Sequence, residues 1–245
     1  IPTQSANAGI FQTNAATESF SFSSLASFSA SALPGLEMWY DGNDLNGDGI
    51  ADSNYSVGNA VNSWNDKSGN GYHMTNQNDP TWASYNGMGV VNFDGDDSLY
   101  STNWWGGGGE FTILSIARYT HSTNNQKVIS DRQNHNFAFG FEGGHMQKWR
   151  FRDLVTNISN GKDTSFHLHS ATMNSSDQAN TFYHGTQVGS VNANGAHNTD
   201  YVPRQLQFGG KRTSDEYSKC EVAEFIAFNR VLTATDRQNL EGYLA

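Results

Sequence analysis

Val222-Ala-Glu-Phe-Ile-Ala-Phe-Asn-Arg-Val-Leu232 is the stretch that decides the fold. Its apolar run, broken only by Glu224, reads as a buried strand. Asn229-Arg230 supplies a turn. Thr233 then caps a helix, and Asp236 three residues on completes a capping box. Leu240, Tyr243 and Leu244 give that helix an apolar stripe at helical spacing. The reading is a β core closed by one short C-terminal helix.

Outward from this block, the chain is cut by turn pairs. Asn-Gly occurs at 46–47, 70–71, 86–87, 160–161 and 194–195, and Asp-Gly at 41–42, 48–49 and 94–95. Such pairs favour the left-handed turns that close hairpins. Between them stand strand candidates at Gly89–Phe93, Glu110–Tyr119, Asn136–Phe141, Gln147–Phe151, Ser165–Asn174, Ala179–His184, Leu206–Phe208 and Glu221–Asn229. Many short strands with little helix point to a sandwich or barrel.

Composition agrees. The chain has 245 residues, enough for one large sandwich or two small domains. Only 16% are charged, while turn formers are abundant and aromatics reach 13%. With 14 basic against 24 acidic residues the formal charge is −10. No basic run suits nucleic acid, and an anionic membrane surface is disfavoured, so a cation is the natural partner. Cys220 is the one cysteine, which excludes an internal disulfide; it reads as a buried small hydrophobe. No apolar run approaches a membrane span. The start at Ile1 reads as a processed or engineered start, consistent with a secreted, surface-associated protein. Residues 1–33 form a Ser/Ala-rich arm, with Phe20, Phe22 and Phe28 in even register; it is expected to dock as an extended strand, on its own domain or on another copy. The domain proper runs over 34–245.

Two blocks carry a family resemblance. One joins Gly35-Leu-Glu-Met-Trp-Tyr-Asp41, Val61-Asn-Ser-Trp-Asn-Asp-Lys-Ser-Gly-Asn-Gly71 and Val90-Val-Asn-Phe-Asp-Gly95; the other is the closing block above. Together they resemble the bacterial laminin-G-like domains of the concanavalin A-like lectin and glucanase group. The resemblance implies an all-β, two-sheet antiparallel jelly-roll sandwich with a short C-terminal helix. It does not choose a function, because the fold hosts lectins, adhesion modules, glycosidases and lyases alike.

Function is read from local motifs. Asp44-Leu-Asn46-Gly-Asp48-Gly-Ile50-Ala-Asp52 places oxygen side chains at positions 1, 3, 5 and 9, with the Ile50 carbonyl at 7. That spacing lets a loop wrap one calcium ion (Ca2+). Tyr55 stands where an EF-hand has its bidentate Glu, so the loop looks more like the shortened calcium loops of dockerins and thrombospondin repeats. Asp94, Asp96 and Asp97 form a possible second metal site. Asp66 reads as structural, capping its turn and pairing with Lys67 or a backbone amide. Trp104 and Trp105, before four glycines, are the first sugar-stacking candidates, and Trp82 with Tyr85 the second. In Gln147–Arg152, Trp149 and Phe151 face one way and Lys148, Arg150 and Arg152 the other, a basic stripe able to grip an anionic polysaccharide. His167 and His169 share a strand face, yet no third ligand stands at metal spacing. Glu224 is expected to pair with an arginine such as Arg230.

No catalytic constellation accompanies these motifs. Glycosidases of the resembled fold carry carboxylates at alternating spacing on one strand, and Glu216 and Glu221 are at odd spacing. The expectation is a non-catalytic, extracellular calcium-binding module that binds a polysaccharide or other glycan, or adheres at a cell surface. The alternative is a filament or surface-layer subunit whose partner is another copy of itself, joined through the 1–33 arm. A polysaccharide-degrading enzyme ranks below both.

Overall fold

The apolar runs fold as antiparallel strands in a computed structural model that describes residues 29–101, 109–121, 126–132, 137–142, 145–151, 154–156, 164–192, 205–211 and 216–245. The first half contributes β1 (Leu36–Asp41), β2 (Ser63–Trp64), β3 (Met74–Gln77), β4 (Thr81–Tyr85), β5 (Met88–Asp94), β6 (Ser98–Ser101), β7 (Phe111–Tyr119) and β8 (Lys127–Asp131). The second half adds β9 (Phe137–Glu142), β10 (His145–Phe151), β11 (Leu154–Thr156), β12 (His167–Met173), β13 (Gln178–Tyr183), β14 (Thr186–Asn192), β15 (Leu206–Phe208), β16 (Lys219–Phe228) and the helix α1 (Ala234–Leu244). They form two eight-stranded sheets. Sheet one runs β14-β13-β12-β7-β16-β5-β4, with β1 also paired to β16; sheet two runs β11-β10-β9-β8-β15-β6-β3-β2. Among the described residues no helix is long and apolar enough to cross a membrane.

Side-chain alternation makes the core. Tyr40 and Phe225 from sheet one meet Trp64 and Phe208 from sheet two, with Phe208 and Phe225 centroids 5.3 Å apart. Phe111 faces Phe137 and Phe151 in the same way. Each such ring is fully buried, and each contributes about 1.5–3 kcal/mol over its exposed state. The Asn86-Gly87 turn joins β4 to β5 with φ of 50° and 87°, the geometry that the pair favours.

The strand β1 has one edge paired to β16 and the other capped by the loop 65–71. Asp66 is buried and accepts from four donors: Trp39 N and Ser68 N through Oδ1, and Ser68 Oγ and Tyr72 N through Oδ2. The Lys67 N–H donates to Trp39 O, and Ser68 Oγ shares its one proton between Asp66 Oδ2 and Glu37 O, each at 2.8 Å. This is why a Trp-Asn-Asp-Lys-Ser-Gly segment follows β1: the loop satisfies backbone groups that a bare edge would leave open. Asp66 therefore holds backbone amides as expected, but its lysine partner is not found there; Lys67 turns instead to Asp41 and Asp44.

Helix α1 lies on the outer face of sheet one. Thr233 Oγ1 accepts from Asp236 N at 3.1 Å, and Leu240 packs with Trp39, Leu114, Ile226 and Phe228. Arg237 and Ser170 both donate to Glu241 beneath the helix. Ala30 and Leu33, the end of the arm, join the same apolar cluster after a 3-10 turn over Ala30–Ala32. The expected strand docking of the arm concerns residues 1–28, which lie outside the described residues.

Glu224 does not pair with Arg230. It accepts from the Trp39 indole Nε1 at 2.7 Å, while Arg230 Nε donates to Pro34 O and its guanidinium lies 3.7 Å from Asp236. The β-bulge between Val222 and Glu224 turns this carboxyl toward Trp39 and Tyr243. Burial, and Asp41 after it, pushes its pKa up to about 7. The folded state thus holds this proton more tightly than the unfolded chain does. The resulting stability is complete below about pH 4.5 and lost as pH rises through 7. Glu224→Gln, uncharged throughout, is expected to be about 2–3 kcal/mol more stable than wild type at pH 8. Denaturation midpoints from pH 5 to 8 check this: the two profiles should diverge as pH rises.

Candidate functional site

Three kinds of side chain were candidates from sequence, and the structure separates them. In the loop 44–52 the carboxylates are spent on the loop itself. Asp44 accepts from Asp48 N and Gly49 N at 3.1 and 2.9 Å, and Asp48 accepts from Ile50 N at 2.8 Å. Asn46 accepts from Asp48 N, and Asp52 accepts from Leu45 N, Asn46 N and Asn46 Nδ2. Ile50 points its side chain to solvent, 71% exposed. The Lys67 ammonium lies 2.9 Å from Asp41 Oδ2 and 3.0 Å from Asp44 Oδ2, and 4.6 Å from the Trp39 ring centroid. Burial pulls the Lys67 pKa down, but its bonds to the two aspartates outweigh that and leave it raised. A lysine thus supplies the positive charge. As folded, the side-chain oxygens of Asp44, Asn46, Asp48 and Asp52 are directed at the loop's own N–H groups.

The turn between β5 and β6 does bring carboxylates together. Oxygens of Asp94, Asp96 and Asp97 lie within 4.8 Å of one another, and among the described residues this is the one such group of three acidic, histidine or cysteine ligands. Asp97 is buried, with Oδ1 accepting from Asp94 N at 3.0 Å. Burial, and then Asp94, pushes the Asp97 pKa up to about 7; a side-chain hydrogen bond with Asp94 raises Asp96. Carboxylates so placed suit a hard divalent ion with oxygen ligands.

Of the aromatic candidates, Trp104, Trp105 and the basic Arg152 lie outside the described residues. Trp82 and Tyr85 are three apart on β4 and so face opposite ways. Trp82 packs on the core and donates its Nε1 to Gly42 O at 2.9 Å. Tyr85 lies on the outer face of sheet one, its ring under the Arg118 guanidinium at 4.2 Å and beside Phe166. They do not form one sugar platform. His167 Nδ1 lies 3.0 Å from His184 Nε2 and 2.8 Å from the Tyr183 hydroxyl. His169 is buried with Nδ1 unpartnered, and burial keeps its pKa well below the usual range, so it is neutral.

Sequence reading missed a face that sheet pairing assembles. Trp149, Phe139, Ile129, Phe208 and Leu99 stand side by side across five strands, all in the core. The next row over lies on the other side of the sheet: Arg150, Ala138, Ser130, Gln207, Tyr100, Thr75 and Ser63, from β10 to β2; Ala138, Ser130 and Gln207 in it are buried, while Arg150, Tyr100 and Thr75 are partly exposed and Ser63 is exposed. Lys148 shares its face with Arg150, Ser98 with Tyr100, and Gln77 with Thr75. Gly210 and Tyr217 reach part of it. Ser130 Oγ donates to Gly210 O at 2.6 Å, and Gln77 Nε2 donates to the Tyr217 hydroxyl at 2.8 Å. Arg132 lays its guanidinium 3.2 Å from the half-buried Tyr100 ring centroid, and its backbone N–H donates to Gln205 O. Two buried polar atoms beside this pair, Ser98 Oγ and Arg132 Nη1, have no partner. Buried polar atoms left open are rare in folded proteins, and a ligand is one thing that closes them. No single segment encodes this face, so no motif announced it; the signal is small polar residues at alternate positions of several short strands.

No family model matches the chain, and no curated protein matches it. Solved structures do match. The binding domain of botulinum neurotoxin serotype C1 aligns with a TM-score of 0.60 at 12% identity, covering 86% of this chain and 52% of that one. The binding domain of botulinum neurotoxin DC in complex with SialylT gives 0.55 at 13% identity, covering 78% of this chain and 50% of that one. Domain 4 of AbnA, an extracellular arabinanase from Geobacillus stearothermophilus, in complex with arabinotriose, gives 0.58 at 10% identity, covering 76% of this chain and 100% of that one. This chain spans about half the length of the two neurotoxin binding domains. The two antiparallel sheets and the C-terminal helix make it a jelly-roll sandwich, similar in fold to these binding domains.

Proposed function

We propose that this protein is a non-catalytic carbohydrate-binding module, and that the outer face of sheet two is its binding surface. The observation that carries the reading is the Tyr100–Arg132 stack beside the unpartnered Ser98 Oγ and Arg132 Nη1. A sugar ring needs a flat apolar surface flanked by donors and acceptors for its hydroxyls, and the partly exposed Tyr100, Arg132 and Thr75 supply both. Structural neighbours solved with SialylT and with arabinotriose support a glycan ligand at this coarse level. The non-catalytic reading is supported by the carboxylates whose partners are known: Asp66 holds backbone amides, Glu221 binds Arg118, and Glu241 binds Arg237 and Ser170. Placement outside the cell, at a surface, belongs to the same proposal.

Calcium belongs to it as well, in the loop 44–52 or at Asp94, Asp96 and Asp97. At the second of these it would neutralise three crowded carboxylates and stiffen the turn between the sheets.

A glycan array tests the reading, followed by titration of the best ligand. Wild type should bind, and Tyr100→Ala should bind at least about tenfold more weakly, a difference of about 1.4 kcal/mol, with its denaturation profile still cooperative. Silence of the folded wild type across neutral and acidic glycans would refute the proposal.

A further inference from the structure

The geometry points to a site for a late transition-metal ion, Cu2+ or Ni2+, held by His167, His184 and Tyr183 at one end of sheet one. It is independent of the carbohydrate reading. In the sequence, His167 and His169 stand on one strand with no third ligand at metal spacing. The pairing of β12 with β13 supplies more. His169 lies opposite Tyr183, and His184 follows at the hairpin turn, its backbone N–H donating to Leu168 O at 3.0 Å. His184 has a φ of 46°, in the left-handed region where histidine is among the enriched residues.

Three donor atoms crowd one point there. His167 Nδ1 lies 3.0 Å from His184 Nε2 and 2.8 Å from the Tyr183 hydroxyl oxygen. Hydrogen bonds alone serve this trio poorly. A neutral imidazole nitrogen carries one proton or one lone pair, not both. As a donor, Nδ1 divides a single proton between His184 and Tyr183; as an acceptor, it offers both the same lone pair. A cation bound by all three removes the conflict, because each atom then points a lone pair at it. The separations fit such an ion. Two ligands at right angles, each about 2.0–2.1 Å from the metal, stand about 2.9 Å apart, whereas tetrahedral ligands stand about 3.3 Å apart. Right angles with mixed nitrogen and oxygen donors are the tetragonal preference of Cu2+ and Ni2+, and Cu2+ binds such sets the more tightly. Calcium takes oxygen ligands and does not suit two imidazoles, so this site is separate from the carboxylates above.

The surroundings agree. His167 is buried and fixes one ligand in place. His184 is exposed, so an ion and its waters reach the site from solvent without opening the core. Two residues along β12, His169 is 1% exposed with Nδ1 unpartnered. Its ring centroid lies 6.0 Å from that of His167 and 5.4 Å from that of Tyr183. Buried polar atoms left open are uncommon, and an ion with its waters beside this ring accounts for one. A bound ion would clasp β12 to the β13–β14 hairpin at the end of sheet one.

Calorimetric titration of the untagged, EDTA-stripped full chain with CuCl2 and NiCl2, in excess calcium, tests the site. Wild type should take up Cu2+ in a saturable step, and the EPR spectrum of the complex should show coupling to two imidazole nitrogens. His184→Gln and His167→Gln should each weaken Cu2+ binding at least about tenfold, since loss of even an outer partner of a metal ligand costs that much. Tyr183→Phe should weaken it and alter the spectrum. His121→Gln, at an exposed histidine outside the trio, should bind as wild type does. Cu2+ should raise the melting temperature of wild type and not that of His184→Gln. Equal Cu2+ affinity in wild type and His184→Gln, or equal loss in His121→Gln, would overturn the site. Should His167→Gln fail to fold, His184→Gln decides alone, because its side chain is at the surface.

Discussion

Asp66→Ala is expected to cost about 3–5 kcal/mol of stability, since it strands buried donors of one carboxylate together. Four donors converge on that side chain: three backbone N–H groups, from Trp39, Ser68 and Tyr72, and the Ser68 hydroxyl. Alanine satisfies none of them, and the cavity is too enclosed for water to replace all four, because Asp66 is 4% exposed. The loop 65–71 then detaches from the edge of β1, and β1 holds Met38 and Tyr40 in the core. For a chain of this size the loss corresponds to a fall in melting temperature of about 10 °C or more. Asp66→Asn should fall between, because one amide oxygen still accepts. Calorimetry decides it; a fall of only a degree or two would mean that the loop does not anchor β1.

Lys67→Met is the second large effect. It leaves Asp41 and Asp44, 8% and 1% exposed, facing one another without their shared cation. Removing one partner of a buried ion pair typically costs about 3–5 kcal/mol. The same variant separates two sites for calcium. With the ion at Asp94, Asp96 and Asp97, adding calcium should raise the melting temperature of wild type and of Lys67→Met by the same increment, and Asp97→Asn should abolish the increment. If calcium instead rescues Lys67→Met selectively, an ion replaces the ammonium and the loop 44–52 is the metal site after all.

The fold was legible because its signals are local. Apolar alternation and turn pairs marked β5, β7, β9, β10, β12, β13, β15 and β16 to within about two residues, and Thr233 with Asp236 marked the helix. The strand β14 escaped because its hairpin turns on His184-Gly185, with φ of 46° and 77°, rather than on an Asn-Gly pair. The acidic spacing of 44–52 was equally plain, but sequence distance says nothing of Lys67, which arrives from the loop beyond β2 to lie against Asp41 and Asp44. Glu224 was misread for a similar reason: a bulge in β16 turned it toward Trp39 and away from Arg230. The face around Tyr100 needs five strands in register before it exists, and no window of sequence contains it.

Amide chemical-shift mapping during titration with an oligosaccharide of the best-bound polymer puts the proposed surface to its most direct test. Perturbations should concentrate on residues 98–101, 130–132, 148–151 and 205–208, which the outer row of sheet two brings together. Shifts confined to Tyr85 and Phe166 on the opposite sheet, or to the turn 94–97 alone, would contradict it.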